Sequence, residues 1–331
     1  MPRQPTEGQP VRPQPEAVAH VLESAGRAMG TTLRVDEWLP SVQGAVGHVL
    51  GVCDGDGSRY VLKVYGAALG RRAATEALAL RLLGDVPGVP VPQLFFTGDV
   101  RDAAPAGPLF FLVMGRCPGV RWADRRDELD ASQSSMLHRD VGQLLRVMHV
   151  LPGDWFGDLV AGGPAWTSAW SRVDARCDAL VRQHRDSEGP AEIGHRVRCL
   201  VDAHREAFAS CRHPVLCHND FIGGNLLVRE TGSPHVCGVV DLERASWDDP
   251  LTDLARTRLH AWHHDPATPD LVSDAYGVHG DHEWQRIAVH EVLHALEERT
   301  WVVGDRPAGW ERSVARLDGY LDARTPLTGR R

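Results

Sequence analysis

The hydrophobic pattern of this chain changes character near residue 115, and this change limits the folds open to it more than any other feature. Before that point, apolar segments of strand length recur, as in Arg59–Tyr65. After it, apolar residues mostly recur at helical spacing, first in Met136–Val150. The sequence therefore predicts an α+β fold, with a small antiparallel β part containing one helix and a larger, mainly helical part.

The predicted elements follow from these two periodicities and from the turn residues between them. In the first part we expect the helices Glu16–Met29 and Arg71–Leu83 and the strands Val46–Val52, Arg59–Tyr65, Leu94–Thr97 and Leu109–Met114. Asp54–Ser58 predicts a hairpin turn between the strands Val46–Val52 and Arg59–Tyr65. In the second part we expect the helices Met136–Val150, Trp166–His184 and Ala191–Ser210, the short strands Val215–Cys217, Asn225–Val228 and Val236–Val240, and helices again from Leu251.

Four segments are predicted along the chain. Residues 1–16 are rich in Pro and Gln and are expected to be a disordered tail. Residues 17–114 form the first lobe, 115–119 a connector, and 120–331 the second lobe.

Composition excludes several classes of protein. The net charge of -8 argues against a nucleic-acid binder that relies on phosphate contacts. No apolar run approaches the ~18 residues that a membrane helix needs, and residues 1–16 do not resemble a signal peptide, so a cytoplasmic protein is expected. The seven cysteines include no Cys-x-x-Cys pair, which disfavours a disulfide framework or a zinc site.

The acidic surplus lies entirely in the second part. Residues 1–116 carry 11 acidic and 11 basic side chains, so the net charge of -8 belongs to residues 117–331. This distribution is typical of a protein that binds a cationic ligand on its second part, with a merely solvated acidic surface as the alternative.

Two residue types are scarce and fall at informative places. Lys63 is the only lysine among 36 basic residues, and Asn219 and Asn225 are the only asparagines. A composition that otherwise uses arginine suggests that Lys63 does work that a guanidinium cannot do.

The segment from His218 to Asn225 carries the residue types that phosphoryl transfer requires. Such an enzyme must orient a hydroxyl, hold Mg²⁺ and neutralise charge on the phosphates. Asp220 would accept the hydroxyl proton, and Asn225 would offer a neutral oxygen to the metal. Asp241 directly follows the predicted strand Val236–Val240 and is the expected principal metal ligand. The Glu243 side chain is expected to point to the same side as that of Asp241 if the chain stays extended.

The ordered set of these motifs resembles the aminoglycoside phosphotransferase and choline kinase superfamily. The matching residues are His218-x-Asp220-x-x-x-x-Asn225, then Val239-Val240-Asp241-Leu242-Glu243, then Asp249-Pro250-x-x-Asp253-Leu254-Ala255. The resemblance implies a protein-kinase-like two-lobed fold and the use of ATP with Mg²⁺, with GTP left open. It covers most of the chain from Thr32 to Ala255, with Asp248 and Asn219 standing where glycine is usual.

The resemblance also implies roles for residues of the first lobe. Lys63 matches the lysine that holds the α- and β-phosphates, and Glu76 matches the acid that pairs with it. Ser41, Gly44 and Gly47 lie where a loop covers the phosphates. Residues 115–119 match the hinge that contacts the purine, and Met114 and Arg116 are the expected contacts there.

The phosphate acceptor is less well determined than the reaction. The family implies a small polar or cationic molecule with a hydroxyl group, most directly an antibiotic of the aminoglycoside type or another natural product. A kinase for a metabolite such as choline, homoserine, methylthioribose or a fructosamine stays an alternative, as does a pseudokinase that only binds nucleotide. Weak candidates for acceptor contacts are Trp155, Asp158, Trp247, Asp248 and Glu283. No nucleic-acid or membrane partner is expected, and the protein is expected to be a monomer or a homodimer.

A second motif predicts different chemistry. His290-Glu291-Val292-Leu293-His294 matches the His-Glu-x-x-His pattern of zinc hydrolases, in which two histidines one helical turn apart bind the metal. His260, His263 and His264 invite a similar interpretation. The chain has 17 histidines, so a coincidental pair four residues apart is the preferred interpretation.

Overall fold

A computed structural model describes residues 13–43, 46–101, 107–264 and 266–325, and the chain divides into two compact units. The first unit runs to Val120 and also contains Leu227–Glu230 and Cys237–Arg244. The second unit contains Arg121–Leu226, Thr231–Val236 and the chain from Ala245 onward. Two segments from late in the sequence therefore belong to the first unit, a feature that periodicity does not indicate.

The first unit is built on a five-stranded antiparallel sheet. Its elements are α1 (Pro15–Met29), β1 (Arg34–Val35), β2 (His48–Cys53), β3 (Arg59–Tyr65), α2 (Gly70–Gly84), β4 (Leu94–Val100) and β5 (Leu109–Gly115). The strand order is β1-β2-β3-β5-β4. Helix α1 buries Ala17, Val21 and Ala25 in one core with Leu62 and Phe111 of the sheet. Burial of these side chains fixes which face of each strand points to the core.

The hairpin between β2 and β3 forms where it was predicted. Asp54 accepts hydrogen bonds from the backbone N–H groups of Asp56 and Ser58 at 3.0 and 2.9 Å, and from the Tyr60 hydroxyl at 3.0 Å. An aspartate that bonds its own following backbone stabilises a tight turn. The turn sets the register that pairs Lys63 with Val49 on one side.

The second unit is mainly helical. Its helices are α3 (Trp122–Arg125), α4 (Ala131–Met148), α5 (Ala169–Asp186), α6 (Ala191–Ala203), α7 (Leu251–His264), α8 (Pro269–Tyr276), α9 (Asp281–Asp305) and α10 (Trp310–Arg324). Helix α4 starts with a capping box, in which Asp130 and Gln133 exchange side-chain and backbone hydrogen bonds. Helices α5, α6, α7, α9 and α10 share one apolar core that includes Val173, Val197, Leu259 and Leu317.

Short strands complete the structure. They are β6 (Val120–Arg121), β7 (Phe156–Asp158), β8 (Ala165–Trp166), β9 (Val215–Cys217), β10 (Leu226–Val228), β11 (Val236–Val239) and β12 (Ser246–Asp248). Four of them form a sheet of order β8-β7-β12-β9, and three form a sheet of order β11-β10-β6. The functional loop His218–Asn225 lies directly between β9 and β10.

Some of the expected bounds need correction or limits. The single helix expected over Ala191–Ser210 ends at Ala203 and is followed by a 3₁₀ turn at Arg205–Ser210. The expected tail overlaps helix α1 at Pro15 and Glu16, and residues 1–12 lie outside the described part of the chain. Among the described residues, no helix has the length and apolar character needed to span a bilayer.

Candidate active site

Lys63 is the centre of a buried ion cluster in the first unit. Its Nζ lies 2.5 Å from Asp241 Oδ1, 3.0 Å from Glu76 Oε2 and 3.2 Å from Glu243 Oε2. Burial alone lowers the pKa of Lys63, but the carboxylates of Asp241 and Glu76 outweigh it and raise this pKa well above its usual range. Lys63 is therefore a fixed positive charge at any physiological pH.

Neighbouring elements hold this cluster in place. Glu76 on α2 accepts hydrogen bonds from the Tyr65 hydroxyl and, at 3.2 Å, from the backbone N–H of Leu242. Gly47 leaves room for the lysine, because a Cβ at Gly47 would lie 2.9 Å from Lys63 Cε. The pKa of Glu76 is raised by burial and by the nearby carboxylates, although Lys63 opposes this. Negative charge is therefore in excess around the lysine.

Asp241 and Glu243 follow strand β11 in a way that corrects the sequence expectation. The chain does not stay extended, since Asp241 has a left-handed φ of 68° and Leu242–Arg244 forms a 3₁₀ turn. This turn brings Glu243 back toward Lys63, and its other oxygen accepts from Arg72 Nη1 at 3.0 Å. The Asp241 side chain is 36% exposed, against 5% for Glu243, so Asp241 is the carboxylate with room for a further ligand.

The loop before β2 contains the expected phosphate-covering residues. Ser41 is exposed and Gly47 is buried, whereas Gly44 lies outside the described residues. Gln43, which sequence reasoning did not single out, pairs its side-chain amide with both the N–H and the carbonyl of Val49, at 3.0 and 2.8 Å. This pairing ties Gln43 to β2.

The segment that is expected to contact the nucleotide lies at the end of β5. Met114 is buried at 5% exposure and pairs with Val61 on β3. Arg116 is exposed, and its guanidinium lies 4.6 Å from the centre of the Trp38 ring. Contact of either residue with a purine stays a prediction.

Asp220 lies in the second unit, where both of its carboxylate oxygens are engaged. Arg256 Nε donates to Oδ1 at 3.1 Å, and Asn225 Nδ2 donates to Oδ2 at 3.0 Å and to the Asp220 carbonyl at 2.9 Å. Arg256 also contacts Glu298 at 2.7 Å. Both contacts of Asn225 use its NH₂ group, and its amide oxygen accepts no hydrogen bond from the described residues. Arg256 and Glu298 were missed by sequence reasoning, because no motif marks them.

The backbone of this loop is held by Asp253 of helix α7. Its carboxylate accepts from the N–H groups of His218 and Asn219 at 2.7 and 2.6 Å, and His149 Nε2 lies 3.2 Å from it. Asn219 adopts a left-handed φ of 64°, a conformation that asparagine tolerates better than most residues. His218 is fully buried, and its Nδ1 accepts from the Asp220 N–H at 3.2 Å. The geometry supports the structural role expected of His218.

The five weak acceptor candidates have internal contacts. Trp155 donates to the carbonyl of Asp158 at 3.0 Å, and Asp158 and Trp247 belong to the paired strands β7 and β12. Asp248 is buried and accepts from Arg172 at 3.0 Å, while Glu283 caps helix α9 through the N–H groups of His279 and Gly280. These contacts favour structural roles, and acceptor binding by any of the five stays a prediction.

The His-Glu-x-x-His motif is buried and used internally. His290 Nε2 lies 3.1 Å from Asp249, and His294 Nε2 lies 3.0 Å from the carbonyl of Thr252. Glu291 accepts from Arg258 at 2.7 Å and from the Tyr320 hydroxyl at 2.8 Å. These contacts tie α9 to the start of α7, which disfavours a zinc site.

One group of metal-ligating side chains occurs among the described residues, namely His149, Cys217 and Asp253. Burial raises the pKa of the Cys217 thiol well above its usual range, and Asp253 is already bonded to the loop backbone. A protonated thiol is a poor metal ligand. We therefore interpret this group as structural.

Comparisons with known proteins identify a matching family. A family model described as "Phosphotransferase enzyme family" matches residues 50–290. No curated protein matches the chain.

Three solved structures illustrate the fold similarity. A thermostable mutant of aminoglycoside phosphotransferase APH(4)-Ia, in ternary complex with ADP and hygromycin B, is 18% identical with a TM-score of 0.66, covering 94% of this chain and 99% of its own. A predicted fructosamine-3-kinase from Thermobifida fusca YX-ER1 is 19% identical with a TM-score of 0.61, covering 91% and 98%. The GDP and kanamycin complex of APH(2")-IIia is 12% identical with a TM-score of 0.64, covering 94% and 99%. The predicted protein-kinase-like α+β fold is confirmed.

Proposed function

Because the chain belongs to the phosphotransferase enzyme family and is a small-molecule kinase, we propose that it transfers the γ-phosphoryl group of Mg·ATP to a hydroxyl of a small polar molecule. The Lys63 ion cluster carries this proposal. A single buried lysine among three carboxylates is the arrangement that holds phosphates next to a metal site. GTP is the alternative donor, since one similar structure is described with GDP.

The nucleotide is held by residues of the first unit. Lys63 binds the α- and β-phosphates and Glu76 fixes its direction, with Gly47, Ser41 and the segment at Met114 as further contacts. The cluster is suited to a divalent cation, because three carboxylates face two cationic side chains, Lys63 and Arg72.

The chemistry of the donor atoms fits Mg²⁺, which prefers carboxylate and amide oxygens. We assign Asp241 and Asn225 as its ligands and Glu243 as a supporting carboxylate. When bound, Mg²⁺ neutralises charge on the phosphates of the nucleotide.

Asp220 orients the acceptor. Its carboxylate accepts the proton of the acceptor hydroxyl as that oxygen forms a bond to the γ-phosphorus. The bond between the γ-phosphorus and the bridging oxygen breaks, and the diphosphate leaves with that oxygen and its electron pair. Arg256 and Asn225 hold the two carboxylate oxygens in a fixed direction, which is the positioning that this reaction mainly requires.

The acceptor is proposed to be an antibiotic or another hydroxylated natural product. Support comes from similar structures that are described with hygromycin B and kanamycin. A metabolite kinase is the second candidate, favoured by the similarity to a predicted fructosamine-3-kinase.

The test is release of ADP from Mg·ATP over a panel of antibiotics and hydroxylated metabolites. The Asp220→Ala variant is expected to lose turnover by roughly 10²- to 10⁴-fold, the usual contribution of a positioned base. Its melting temperature should still rise with Mg·AMP-PNP, because the Lys63 cluster is intact. Asp186→Ala, at an exposed position of α5, is the matched control and should keep full turnover. Retained turnover in Asp220→Ala contradicts the assignment, and nucleotide binding without turnover on any acceptor would favour the pseudokinase.

A further inference from the structure

A cavity of about 220 Å³ opens in the second unit next to the functional loop. Ile222 and Gly223 of that loop form one wall, Trp122 and Arg126 another, and His260 and His264 of helix α7 a third. Sites for drug-sized ligands usually occupy ~300–1,000 Å³. The cavity, called the His260 cavity below, therefore accommodates a ring-sized part of a molecule.

Helix α7 relates this cavity to Asp220. Arg256, His260 and His264 are spaced four residues apart, so they lie on one face of the helix. Arg256 contacts the Asp220 carboxylate at 3.1 Å. With a rise of ~1.5 Å per residue, His260 lies ~6 Å and His264 ~12 Å farther along the axis than Arg256. A molecule with its hydroxyl at Asp220 therefore reaches the cavity with a group one to two helical turns away.

Arg126 is the one arginine or lysine of the cavity walls, and the exposed Asp127 balances its formal charge. Arg126 has no carboxylate within ion-pair distance in the part of the chain that the structure describes, and its Nη2 lies 2.8 Å from His260 Nε2. Because a guanidinium only donates, His260 accepts at Nε2 and carries its proton on Nδ1. Trp122 is 4% exposed, and its indole N–H has no acceptor among the described residues. The walls thus offer several hydrogen-bond donors.

The histidines add no charge of their own. Burial, followed by His264 and Arg126, lowers the pKa of His260 well below its usual range, and burial with Arg126 lowers the pKa of His264 to about 4. Of the side chains that line the cavity, Asp127 alone carries a carboxylate, and it is exposed. The acidic surplus of residues 117–331 is therefore not concentrated here.

We propose that the His260 cavity binds an anionic group, such as a carboxylate, carried on a ring-sized part of the acceptor whose hydroxyl lies at Asp220. The inference rests on the proposed function for the position of the hydroxyl. It names the acceptor class as a hydroxylated acid. A guanidinium and neutral N–H donors favour an anion, whereas an ammonium group would meet Arg126.

The test uses three probes with the same ring and the same hydroxymethyl group. They are 4-(hydroxymethyl)benzoate, 1,4-benzenedimethanol and 4-(aminomethyl)benzyl alcohol, whose second substituents are an anionic carboxylate, a neutral hydroxymethyl group and a cationic aminomethyl group. Calorimetric titration of the full chain, with and without Mg·AMP-PNP, measures binding independently of turnover. The carboxylate is expected to bind at least about tenfold more tightly than the other two probes.

Arg126→Met should remove this preference, and Arg125→Met is the matched control. Arg125 carries the same charge, pairs with Glu128 and does not line the cavity, so its loss should leave the preference intact. If Arg126→Met fails to fold, Arg126→Lys decides instead. The Arg126→Lys variant keeps the positive charge but lacks the planar guanidinium, so its preference for the carboxylate probe should fall several-fold.

Three results would overturn the inference. They are equal or tighter binding of the ammonium probe, no binding of any probe up to about 10 mM, and an equal effect of Arg125→Met and Arg126→Met. Addition of inorganic phosphate separates the sources of the anion, because displacement of the carboxylate probe without inhibition of turnover would indicate a site for a free anion. Failure of the proposed function would give a different result, in which the carboxylate probe still binds but no ADP is released.

Discussion

In the proposed reaction, single residues act through the number and direction of their contacts. Lys63 has three carboxylate partners, so its side chain is held in one place before any nucleotide arrives. Asp220 is held by Arg256 and Asn225 in the same manner. Positioning of this kind lowers the barrier for phosphoryl transfer without covalent participation of the protein.

Lys63→Arg should lower turnover by at least about tenfold although the charge is kept, because a guanidinium is larger and its fork cannot replace a compact ammonium among three carboxylates. The measurements are the rate of ADP release and the affinity for Mg·AMP-PNP. Arg59→Lys on the same strand is exposed and should leave both unchanged. A fully active Lys63→Arg protein would show that the scarcity of lysine has no functional meaning.

Pairs of elements set the positions of these residues. Helix α4 passes close to α8 at Gly142, where a Cβ would overlap the carbonyl oxygen of Val272. Helix α9 holds the start of α7 through His290 and Asp249, and α7 in turn holds the functional loop through Asp253. Loss of one of these contacts therefore acts on the loop through the helices.

Gly142→Ala should destabilise the protein by ~1–3 kcal/mol, since the methyl group must displace the backbone of α8. Gly319→Ala on α10 is the control, because its Cβ meets open space and the change should stabilise by up to ~1 kcal/mol. Urea unfolding of both variants measures the two changes. Equal effects of both substitutions would show that the close approach of α4 and α8 carries no cost.

The Asp249 carboxylate should make the free energy of unfolding depend on pH in the acidic range. Burial alone raises its pKa, but His290 and Arg286 outweigh this and lower the pKa from 3.8 to about 2. A lowered pKa contributes stability that is present above the unfolded value and is lost as the pH falls through the folded value. The shift corresponds to roughly 2 kcal/mol, lost between about pH 4 and pH 2.

In Asp249→Asn, the fall in unfolding free energy between neutral pH and about pH 2 should be smaller than in the wild type. The comparison uses the change with pH, because the variant also leaves Arg286 without its partner at 2.6 Å. Asp281→Asn, at the exposed start of α9, should keep the wild-type dependence on pH.

At the scale of the whole molecule, the net charge and the identity of the bound metal bear on the proposed function. The net charge of -8 does not show where a ligand binds. The His260 cavity, for example, is lined by hydrogen-bond donors and not by a cluster of acidic side chains. The donor atoms assigned to the metal are oxygens, whereas the histidine motif on α9 is occupied by protein contacts.

Removal of Mg²⁺ with EDTA should therefore abolish ADP release, and a chelator selective for zinc should leave it intact. Elemental analysis of the purified protein should find less than stoichiometric zinc, because His290 and His294 are bonded internally. Stoichiometric zinc, or loss of activity with the zinc chelator alone, would restore the hydrolase alternative.

The sequence by itself determined the reaction class and the fold class, because these depend on local patterns. The spacing of His218, Asp220 and Asn225, and the switch from strand to helix periodicity, are properties of neighbouring residues. The bounds of β3 and β9 agree with the structure for the same reason.

Only the tertiary structure decided which distant residues meet. Arg256 contacts Asp220 across 36 positions of sequence and Glu298 contacts Arg256 across 42, and no local pattern marks such pairs. Glu243 contacts the same lysine as Asp241, but through a turn and not through the extended chain that was expected, since a left-handed aspartate is fixed by its surroundings rather than by its type. The cavity beside Gly223, and the hydrogen-bond donors that line it, likewise exist only once α7 lies against the functional loop.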